Sequence, residues 1–585
     1  MVRLIISNDN PRNFVNLKQL IDDNAVLFEK KPCYIFHRGI NVEELSFGDF
    51  KEYVDCMGTA FHSIGLKGAT VGIIGETTPE WIAIYMSAVV SGGVALPLDS
   101  ELAPNEIVNF INRAGAECVF HSKSARDIFT VHADSMPNVK FFVEIPSEDF
   151  VRIKTLVPGG YMPSSRFISF ETFMAYGKSM ILRGESSYEL YEQDMKKMSA
   201  LLFTSGTTGT AKGVMLSQQN IVTVVRAVGK VLDVNTTDVA MSVLPIHHSY
   251  EMCCGILCSM YFGMTQCIND KRKNVVKNLK LFKPTIVPLV PLYVSAFCKK
   301  IWDTAAKRGQ TEKLKTIIMA SNLLRRVKID ARGILFRSVR EAFGGRLNKI
   351  ICGGAAMNPV LIKTFDALGI QLSQGYGITE CAPLVAVVPF KSILDKPTSC
   401  GRVIPGVTVT IDKQDESDEA GEIIVKGDNV MLGYYNDPEQ TAQVLQADGS
   451  LRTGDYGYVD EDGFIYITGR KKNVIIAGNG KNVFPEEIEN YLEDISLIEE
   501  CVVVGKPDEN DPDAVIITAI IFPNAETAAA AMLNNDDEIT AALKKEIAKI
   551  NDKLPGFKHV KGIVIRNEPF NKTSSRKIKR FEINQ

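Results

Sequence analysis

The sequence lacks several features that would assign it to common protein classes. Its net charge is only −3, so it has no overall basic field that could hold a nucleic acid. Its twelve cysteines include no CxxC pair, and the tightest group, at 253, 254 and 258, has no partner at zinc-finger spacing. No internal repeat occurs. These absences favour a reduced, cytoplasmic protein that acts on small molecules.

Long uninterrupted apolar runs are also missing. Two charge-free segments, residues 81–98 and 252–269, approach the length of a membrane span, but glycine and polar residues interrupt both. We expect each segment to form a buried helix followed by a strand. The first residues, MVRLIISNDNPRNF, contain too short an apolar run for a signal peptide, so export is not indicated.

What the sequence does contain is a regular alternation of strand and helix patterns. The length of 585 residues predicts two or more domains. Short apolar strands alternate with helical patterns from residue 69, and a second series begins at residue 199, which predicts two doubly wound α/β halves. From about residue 401, alternating apolar residues and Asp-Gly turns predict antiparallel strands. We place an N-terminal domain at 1–469, a hinge at 470–473 and a C-terminal domain at 474–585.

The segment LLFTSGTTGTAKGVML, residues 201–216, has the composition of a phosphate-binding loop. It is not a Walker A loop, because Ala211 and Gly213 stand where that motif requires glycine and a hydroxyl residue. Its glycines still let the backbone approach anionic oxygens, and Lys212 adds a positive charge. A flexible linker is disfavoured, because the segment lies between a buried strand and a helix that begins at Ser217. The hydroxyl donors are Thr204, Ser205, Thr207 and Thr208.

The string TSGTTGTAKGV closely resembles the signature loop of the AMP-forming acyl-CoA synthetase, luciferase and peptide-synthetase adenylation superfamily, which reads TSGTTGxPKG. Ala211 replaces the usual proline but removes no phosphate ligand. The resemblance implies an α/β fold with a distorted β-barrel, a small mobile α+β C-terminal domain, and ATP with Mg²⁺ as cofactors. It also implies that Thr204 contributes to the magnesium site. The implied phosphate ligands are Thr204, Ser205, Gly206, Thr207, Thr208, Gly209 and Lys212.

Two further motifs follow in the order of that superfamily. The first, QGYGITE, implies that Tyr376 stacks on adenine, that Thr379 contacts the α-phosphate and that Glu380 holds magnesium. A ring face suits a base, and a carboxylate is a hard oxygen ligand that suits magnesium. The second is a GGA turn similar to the one that flanks adenine and the acyl pocket. The remaining nucleotide-binding residues implied by the two motifs are Gly353, Gly354, Ala355, Gln374, Gly375 and Gly377.

The string TGDYGYVDEDGFIYITGRKKNVI resembles the end of the family's large domain. It implies that Asp455 accepts both ribose hydroxyls and that Arg470 contacts ribose or phosphate. The hinge of the family lies two residues beyond that arginine, at Lys472. Near the C-terminus, NKTSSRKIKR resembles KTxSGKIxR, with Arg576 in place of a common glycine. The resemblance makes Lys577 the catalytic cation that aligns carboxylate and α-phosphate, since two anions must meet there.

The segment LPIHHSYE suggests the kind of acid. It resembles the family's LPxxH segment, in which His248 matches the catalytic histidine near the acyl and pantetheine junction. It contains no aspartate to pair with a substrate ammonium, so it looks like long-chain acyl-CoA synthetases rather than amino-acid-activating enzymes. Apolar residues between 256 and 264 fit either an acyl tunnel or ordinary core packing.

We therefore expect an ATP-dependent fatty acid–CoA ligase that forms acyl-adenylate and pyrophosphate, and then acyl-CoA and AMP. The alternatives are an acyl-acyl-carrier-protein synthetase with the same first half reaction, and a nucleotide-binding regulator without catalysis. The partners expected are a fatty acid and CoA or a carrier protein, with peripheral membrane contact left open. Eight basic residues between 323 and 349, against two acidic ones, form either a solvated helix face or a cationic docking surface.

Overall fold

The structure is a computed structural model that divides into two compact units. The larger unit contains the chain before the phosphate-loop segment together with Ala211–Thr408 and Val425–Leu451, and the smaller unit contains Val409–Ile424 and the chain from Arg452 onward. The residues that the structure describes are 5–147, 149–204, 211–355, 357–416, 418–476, 482–507, 515–572 and 578–583.

The strands are short, as expected for a doubly wound protein. They are β1 (Pro32–Arg38), β2 (Asn41–Ser46), β3 (Thr70–Ile74), β4 (Val94–Leu98), β5 (Cys118–Ser122), β6 (Phe141–Ile145), β7 (Phe167–Ser169), β8 (Met198–Thr204), β9 (Lys212–Ser217), β10 (Val239–Ser242), β11 (Thr265–Ile268), β12 (Ile286–Leu289), β13 (Lys349–Cys352), β14 (Gln371–Gly377), β15 (Leu384–Val387), β16 (Gly401–Val403), β17 (Val407–Asp412), β18 (Gly421–Gly427), β19 (Gly433–Tyr434), β20 (Leu451–Val459), β21 (Phe464–Arg470), β22 (Ile475–Ile476), β23 (Asn482–Val483), β24 (Ile498–Pro507), β25 (Val515–Pro523) and β26 (Gly562–Ile565).

The α-helices separate these strands along most of the chain. They are α1 (Leu17–Phe28), α2 (Phe47–Ser63), α3 (Pro79–Val90), α4 (Pro104–Ala114), α5 (Arg126–His132), α6 (Phe170–Leu182), α7 (Gln218–Val231), α8 (Cys258–Phe262), α9 (Val275–Phe282), α10 (Pro291–Lys307), α11 (Thr311–Arg326), α12 (Arg332–Leu335), α13 (Arg337–Glu341), α14 (Pro359–Ala367), α15 (Pro438–Val444), α16 (Pro485–Leu492), α17 (Ala525–Ala530) and α18 (Asp536–Asn551). A π-helical segment, Tyr250–Leu257, leads directly into α8.

The larger unit is built on two sheets, and the predicted α/β fold is confirmed. One sheet has the order β19-β9-β8-β4-β3-β5-β6-β7, and the strands of this unit in the other run β16-β15-β14-β13-β12-β10-β11-β1-β2. Most of these neighbours are parallel, and β4 and β5 are buried along their whole length. Strands covered on both faces are mostly apolar, which is why they appear in the sequence as short hydrophobic runs.

Two expectations about the strands are wrong. The strand at residue 199, β8, does not begin the second sheet, because it pairs in parallel with β4 in the first, while the N-terminal β1 joins the second sheet beside β11. The expected barrel is not formed either: the strands after residue 401 are antiparallel, as in the β20–β21 hairpin, but no sheet of the described residues closes on itself. Local alternation predicts an antiparallel pair, whereas closure depends on pairing between distant strands.

The two charge-free segments are buried helices followed by strands, as predicted. Every residue of α3 is buried, and Thr78 caps its first turn by accepting from the Trp81 amide at 3.2 Å. Glu80 in this helix bonds to Arg38 of β1 and so ties α3 to the second sheet. None of the described helices is long and apolar enough to cross a bilayer.

The smaller unit has its own core. The strands β24, β25 and β26 form one sheet, and β22 pairs with β23. The side chains of Ile488 and Leu492 from α16 and of Leu543 and Ile547 from α18 are buried in one cluster with this sheet. A separate core of this kind is what allows a unit to behave as a domain.

Candidate active site

The structure brings together the two ends of the phosphate-loop segment. Thr204 at the end of β8 and Lys212 at the start of β9 are Cα partners in an antiparallel pair. Arg113 lies over the Phe203 ring at 4.9 Å and donates to the Ala211 carbonyl at 3.2 Å, so both flanks of the segment are held. The predicted ligands Ser205, Gly206, Thr207, Thr208 and Gly209 lie outside the described residues.

A tyrosine connects Lys212 with Glu380. The Lys212 ammonium lies 4.6 Å from the centroid of the Tyr434 ring, and the Tyr434 hydroxyl donates to Glu380 Oε1 at 2.9 Å. A ring face attracts a cation, and a phenol hydroxyl is a good donor to a carboxylate. Burial raises the pKa of Tyr434, and the neighbouring Glu380 charge raises it further, so the hydroxyl keeps its proton.

Contacts to the backbone around Tyr434 also help to fix its position. Tyr434 in β19 pairs with Val214 of β9, and the Met431 amide donates to the Glu380 carbonyl at 2.8 Å. The side-chain amide Nδ2 of Asn220 in α7 donates to the Asp428 and Val430 carbonyls at 2.8 Å each. The sequence analysis missed Tyr434, although an aromatic pair after the glycine at 433 offered a signal.

The two predicted adenine-binding motifs lie side by side at the carboxyl ends of neighbouring strands of the second sheet. The parallel strands β13 and β14 place Cys352 opposite Gln374, so residues 353–355 and 375–377 follow at neighbouring strand ends. Glycine is required at 377, because a Cβ there would lie 1.8 Å from the Pro383 carbonyl oxygen. Thr379 and Glu380 come next, in a 3₁₀ turn. Carboxyl ends of parallel strands are where such folds bind ligands.

Two residues at this edge are more enclosed than the motif suggests. Tyr376 is only 6% exposed and pairs with Ala386 of β15. Gln374 is also buried, and its amide donates to the Cys400 sulfur at 3.5 Å. The stacking of Tyr376 on adenine therefore stays a prediction.

The histidine segment follows β10 and borders an apolar cavity. The ring centroids of His247 and His248 are 4.3 Å apart, and His247 Nε2 lies 3.6 Å from Asp99 Oδ2. Burial lowers the pKa of His247, and Asp99 opposes that shift. His247 and Ala382 line a small apolar cavity together with Met252, Cys253 and Leu257. Sequence reasoning selected His248 and overlooked the neighbour that faces this cavity.

A second small apolar cavity is lined by other residues of the π-helical segment. Cys254, Gly255, Phe262, Met264, Pro288 and Ile351 are among the residues that line it. Ile256, Met260 and Tyr261 are instead buried in the core. The apolar residues between 256 and 264 thus divide between cavity lining and packing.

In the smaller unit, the two residues predicted to contact ribose are in direct contact with each other. Asp455 and Arg470 are Cα partners across the β20–β21 hairpin, and Arg470 Nε lies 2.9 Å from Asp455 Oδ1. Asp455 is buried, and its amide donates to the Thr453 hydroxyl at 3.1 Å. The pair presents one carboxylate and one guanidinium at a single place.

The predicted hinge residue Lys472 lies in a 3₁₀ turn, Lys471–Asn473. Lys471 Nζ is 2.9 Å from Glu422 Oε2, and the Asn473 amide donates to Glu486 of α16 at 2.5 Å. Lys472 is therefore flanked by one anchored residue on each side, and its role as a hinge stays a prediction.

Lys577 lies outside the described residues, but both flanks of its segment are fixed on the smaller unit. Lys572 and Ile578 form an antiparallel bridge, and the Lys579 amide donates to the Asn571 carbonyl at 2.9 Å. Arg580 bonds to Glu489, whose pKa burial raises to about 7 against the opposing effect of Arg580.

Comparison with known proteins identifies the family to which the chain belongs. A family model described as AMP-binding enzyme matches residues 21–435, and a model described as AMP-binding enzyme C-terminal domain matches residues 472–585. The chain belongs to the AMP-binding enzyme family. The sequence-based prediction of an AMP-forming acid–thiol ligase is confirmed at the level of the family.

Relatives and solved structures of AMP-binding enzymes extend this comparison. The chain is 27% identical to long-chain-fatty-acid–CoA ligase 1 of Cavia porcellus over 97% of this chain and 84% of that protein. It is 26% identical to the peroxisomal long chain acyl-CoA synthetase 7 of Arabidopsis thaliana over 88% and 75%. The anthranilate CoA ligase AuaEII with anthranoyl-AMP has a TM-score of 0.75 at 19% identity, covering 99% and 98% of the chains. The o-succinylbenzoate coenzyme A synthetase of Bacillus subtilis with ATP and magnesium has a TM-score of 0.69 at 18% identity, covering 97% and 99%.

The side chains of this AMP-binding enzyme fit a magnesium ion that arrives with a nucleotide. Among the described residues, no group of three or more His, Cys, Asp or Glu side chains could hold a metal on its own. Magnesium in nucleotide enzymes usually takes one or two protein carboxylates and completes its shell with phosphate oxygens and water. Glu380, which accepts from Tyr434, is a carboxylate of this kind, and its role as a magnesium ligand stays a prediction.

Replacing Tyr434 by phenylalanine tests the contact with Glu380. The Tyr434→Phe variant keeps the ring beneath Lys212 but loses a hydrogen bond to a charged group, so its affinity for magnesium–ATP should fall about tenfold. Isothermal titration calorimetry with magnesium–ATP measures this. Tyr435→Phe, one residue along, is the matched control and should bind like the wild type. Equal affinity in both variants would show that the hydroxyl does not orient Glu380.

The buried Glu251 makes stability depend on pH. Burial raises its pKa to about 8, and the nearby Ser242 hydroxyl and Leu244 amide oppose this only in part. The folded state thus keeps a proton that the unfolded chain loses above its ordinary pKa of 4.5, and stability falls as pH rises through about 8. Glu251→Gln should remove a few kcal/mol of that loss.

Urea unfolding followed by tryptophan fluorescence at about pH 5 and about pH 9 measures the effect, since Trp81 and Trp302 both lie in the larger unit. Glu29→Gln, at an exposed position, is the control and should leave the pH dependence unchanged. A wild-type stability that is the same at both pH values would rule out a protonated Glu251.

Proposed function

We propose that the protein activates a fatty acid with ATP and transfers the acyl group to CoA. The observation that carries this proposal is the apolar cavity beside the predicted nucleotide residues. Its wall includes Ala382, two residues beyond Glu380, and the described residues that line it contain no acidic side chain that could pair with an amino group. An apolar tail gains about 0.8 kcal/mol for each buried methylene, so such a cavity favours an alkyl acid.

The first half reaction joins two anions. A carboxylate oxygen of the acid attacks the α-phosphorus of ATP, and pyrophosphate leaves with the electrons of the broken P–O bond. Lys212 holds the outer phosphates, Thr379 contacts the α-phosphate, and Glu380 binds the magnesium ion. When bound, magnesium neutralises charge that develops on the phosphate oxygens. Lys577 supplies the cation that draws the carboxylate to the phosphorus.

The second half reaction needs a thiol at the position that Lys577 has occupied. The CoA thiol loses its proton to solvent, its sulfur attacks the acyl carbonyl, the bond to AMP breaks, and AMP leaves as an anion. His248, beside the cavity-lining His247, lies at the proposed junction of acyl group and pantetheine. We place the hinge of this rearrangement at Lys472. Rotation there carries Lys577 away from the acyl group and clears a path for the thiol. CoA is favoured over a carrier protein because the relatives compared above include proteins named as CoA ligases.

Exchange of labelled pyrophosphate into ATP across a panel of acids tests the first half reaction. We expect exchange with saturated fatty acids and none with amino acids, because the cavity offers apolar contacts and no partner for an ammonium group. Acyl transfer to CoA and to a carrier protein is then compared with the best acid. Exchange confined to amino acids would overturn the assignment of the cavity, and acylation of the carrier protein alone would identify the acceptor as that protein.

Substitution of Lys577 separates the two half reactions. Lys577→Ala should lower the rate of adenylation at least about a hundredfold, because the fixed cation is lost from the transition state. Thioester formation from supplied acyl-adenylate should stay near the wild-type rate. Lys579→Ala, which removes a lysine paired with Glu582 nearby, is the control for both measurements. An equal fall of both rates in Lys577→Ala would contradict the two-position role of this lysine.

A further inference from the structure

The second half of α11, the turn after it and α12 expose an unusual concentration of apolar side chains. Single exposed hydrophobic residues are normal on any protein, but contiguous ones mark interaction sites. Leu323 is 64% exposed and Ile334 is 84% exposed. We call this surface the α11–α12 face; its large exposed apolar residues are Met319, Leu323, Val327, Ile329, Ile334 and Leu335.

The backbone places several of these residues on one side of α11 and in the turn that follows it. Met319, Leu323 and Val327 recur every four residues and so lie on one side of α11 and its C-cap. Lys328 adopts a left-handed conformation with φ 62°, and its amide donates to the Arg325 carbonyl at 2.9 Å. The Ile329 amide donates to the Leu324 carbonyl at 3.0 Å, which completes a tight helix-ending turn. The chain therefore folds back at once, and α12 follows within a few residues.

Not all of the basic residues in this region are available to a partner. Arg325 and Arg332 both bond to the side chain of Asp366 in α14, at 2.5 Å and 3.2 Å, and so hold α11 and α12 against the core. Lys349 lies 3.3 Å from Asp238. The structure thus separates arginines that anchor the face from those that surround it.

Two basic residues of this region lie directly beside an exposed apolar residue of the face. Arg326 and Lys328 flank Val327, and both are exposed and form no ion pair with any residue that the structure describes. Between residues 311 and 349 there are ten lysines and arginines against three acidic residues, in a chain whose net charge is −3. Some of these charges are paired as described above, whereas Arg326 and Lys328 contribute positive charge directly beside the exposed Val327.

We propose that the α11–α12 face docks on the surface of a bilayer that contains anionic phospholipids. Its apolar side chains would enter the boundary between headgroups and acyl chains, and Arg326 and Lys328 would meet lipid phosphates. Apolar residues rimmed by basic ones are the pattern of helices that lie in a membrane interface.

Other occupants fit this face less well. A soluble anion such as CoA would be held by the charges alone and would leave Ile334 and Leu323 in water. A second copy of the chain would bring two strongly positive faces together, which like-charge repulsion opposes. An acidic protein offers charge, but an anionic bilayer offers charge and an apolar layer over the whole face. The proposal does not depend on the identity of the acid that the enzyme activates.

Flotation of the full-length protein with vesicles tests the proposal. Vesicles of phosphatidylcholine alone are compared with vesicles that contain about one third phosphatidylglycerol, and binding should be restricted to the second kind. Two double variants, Leu323→Ser with Ile334→Ser and Arg326→Gln with Lys328→Gln, should each lower the partition coefficient about tenfold or more. Added salt should weaken the binding of the wild type but not the residual binding of the basic variant.

Matched substitutions at exposed positions elsewhere provide the controls. Ile40→Ser with Val131→Ser removes equally exposed apolar side chains, and Lys544→Gln with Lys545→Gln removes two exposed charges. Both should bind vesicles like the wild type. Circular dichroism establishes that every variant is folded.

A tryptophan at position 334 reports insertion directly. In the Ile334→Trp variant, anionic vesicles should shift the emission to shorter wavelength, and brominated lipids should quench it, whereas the wild type with its two native tryptophans should change little. Failure of the wild type to bind anionic vesicles, or binding by both double variants at the wild-type level, would overturn the proposal. So would a basic variant that raises the KM for CoA without losing vesicle binding, because the face would then serve a nucleotide.

Discussion

The site depends on keeping a cation and a carboxylate close without letting them pair. Lys212 lies over the ring of Tyr434, and Glu380 accepts from the hydroxyl at the end of the same side chain. A direct ion pair would neutralise both groups, and neither would attract a phosphate or a metal ion. The Tyr434 ring stabilises the Lys212 ammonium, and the Tyr434 hydroxyl stabilises the Glu380 carboxylate. The pairing of β19 with β9 and the bonds from Asn220 to the 428–430 segment hold that ring in place.

The other strands and helices of the larger unit form a rigid framework around Lys212, Tyr434 and Glu380. Parallel strands end at the same side of the sheet, so the glycine turn after β13 and the glycines at the end of β14 become neighbours even though a helix separates them in the chain. The buried ion pair of Arg38 with Glu80 joins elements of the two sheets. The apolar cavities lie between helices and strands of the same unit, where the π-helical segment leaves room beside its wider turns. The charged groups Lys212 and Glu380 of the candidate site and the apolar cavities therefore belong to the same unit.

Local signals in the sequence were enough to predict α3, the strands β3 to β6 and the antiparallel hairpin of β20 and β21, because burial and turn chemistry act over a few residues. Sheet membership was beyond that reach: β8 pairs with β4, about a hundred positions away, and β1 pairs with β11 across more than two hundred. Tyr434 was missed for the same reason, since only the folded chain brings it to Glu380. Spacing also could not distinguish the neighbouring Arg325 and Arg326. Arg325 anchors a helix to Asp366, whereas Arg326 forms no ion pair with a described residue.

The contact between Asp455 and Arg470 has a consequence for how a nucleotide is sensed. On the proposed assignment, ribose hydroxyls compete with Arg470 for the same carboxylate, and Arg470 is the last residue of β21, directly before the turn that contains Lys472. A sugar that takes this carboxylate loosens the arginine, and a departing sugar lets it return. On that assignment, binding of the ribose is coupled to the residue that directly precedes the proposed hinge.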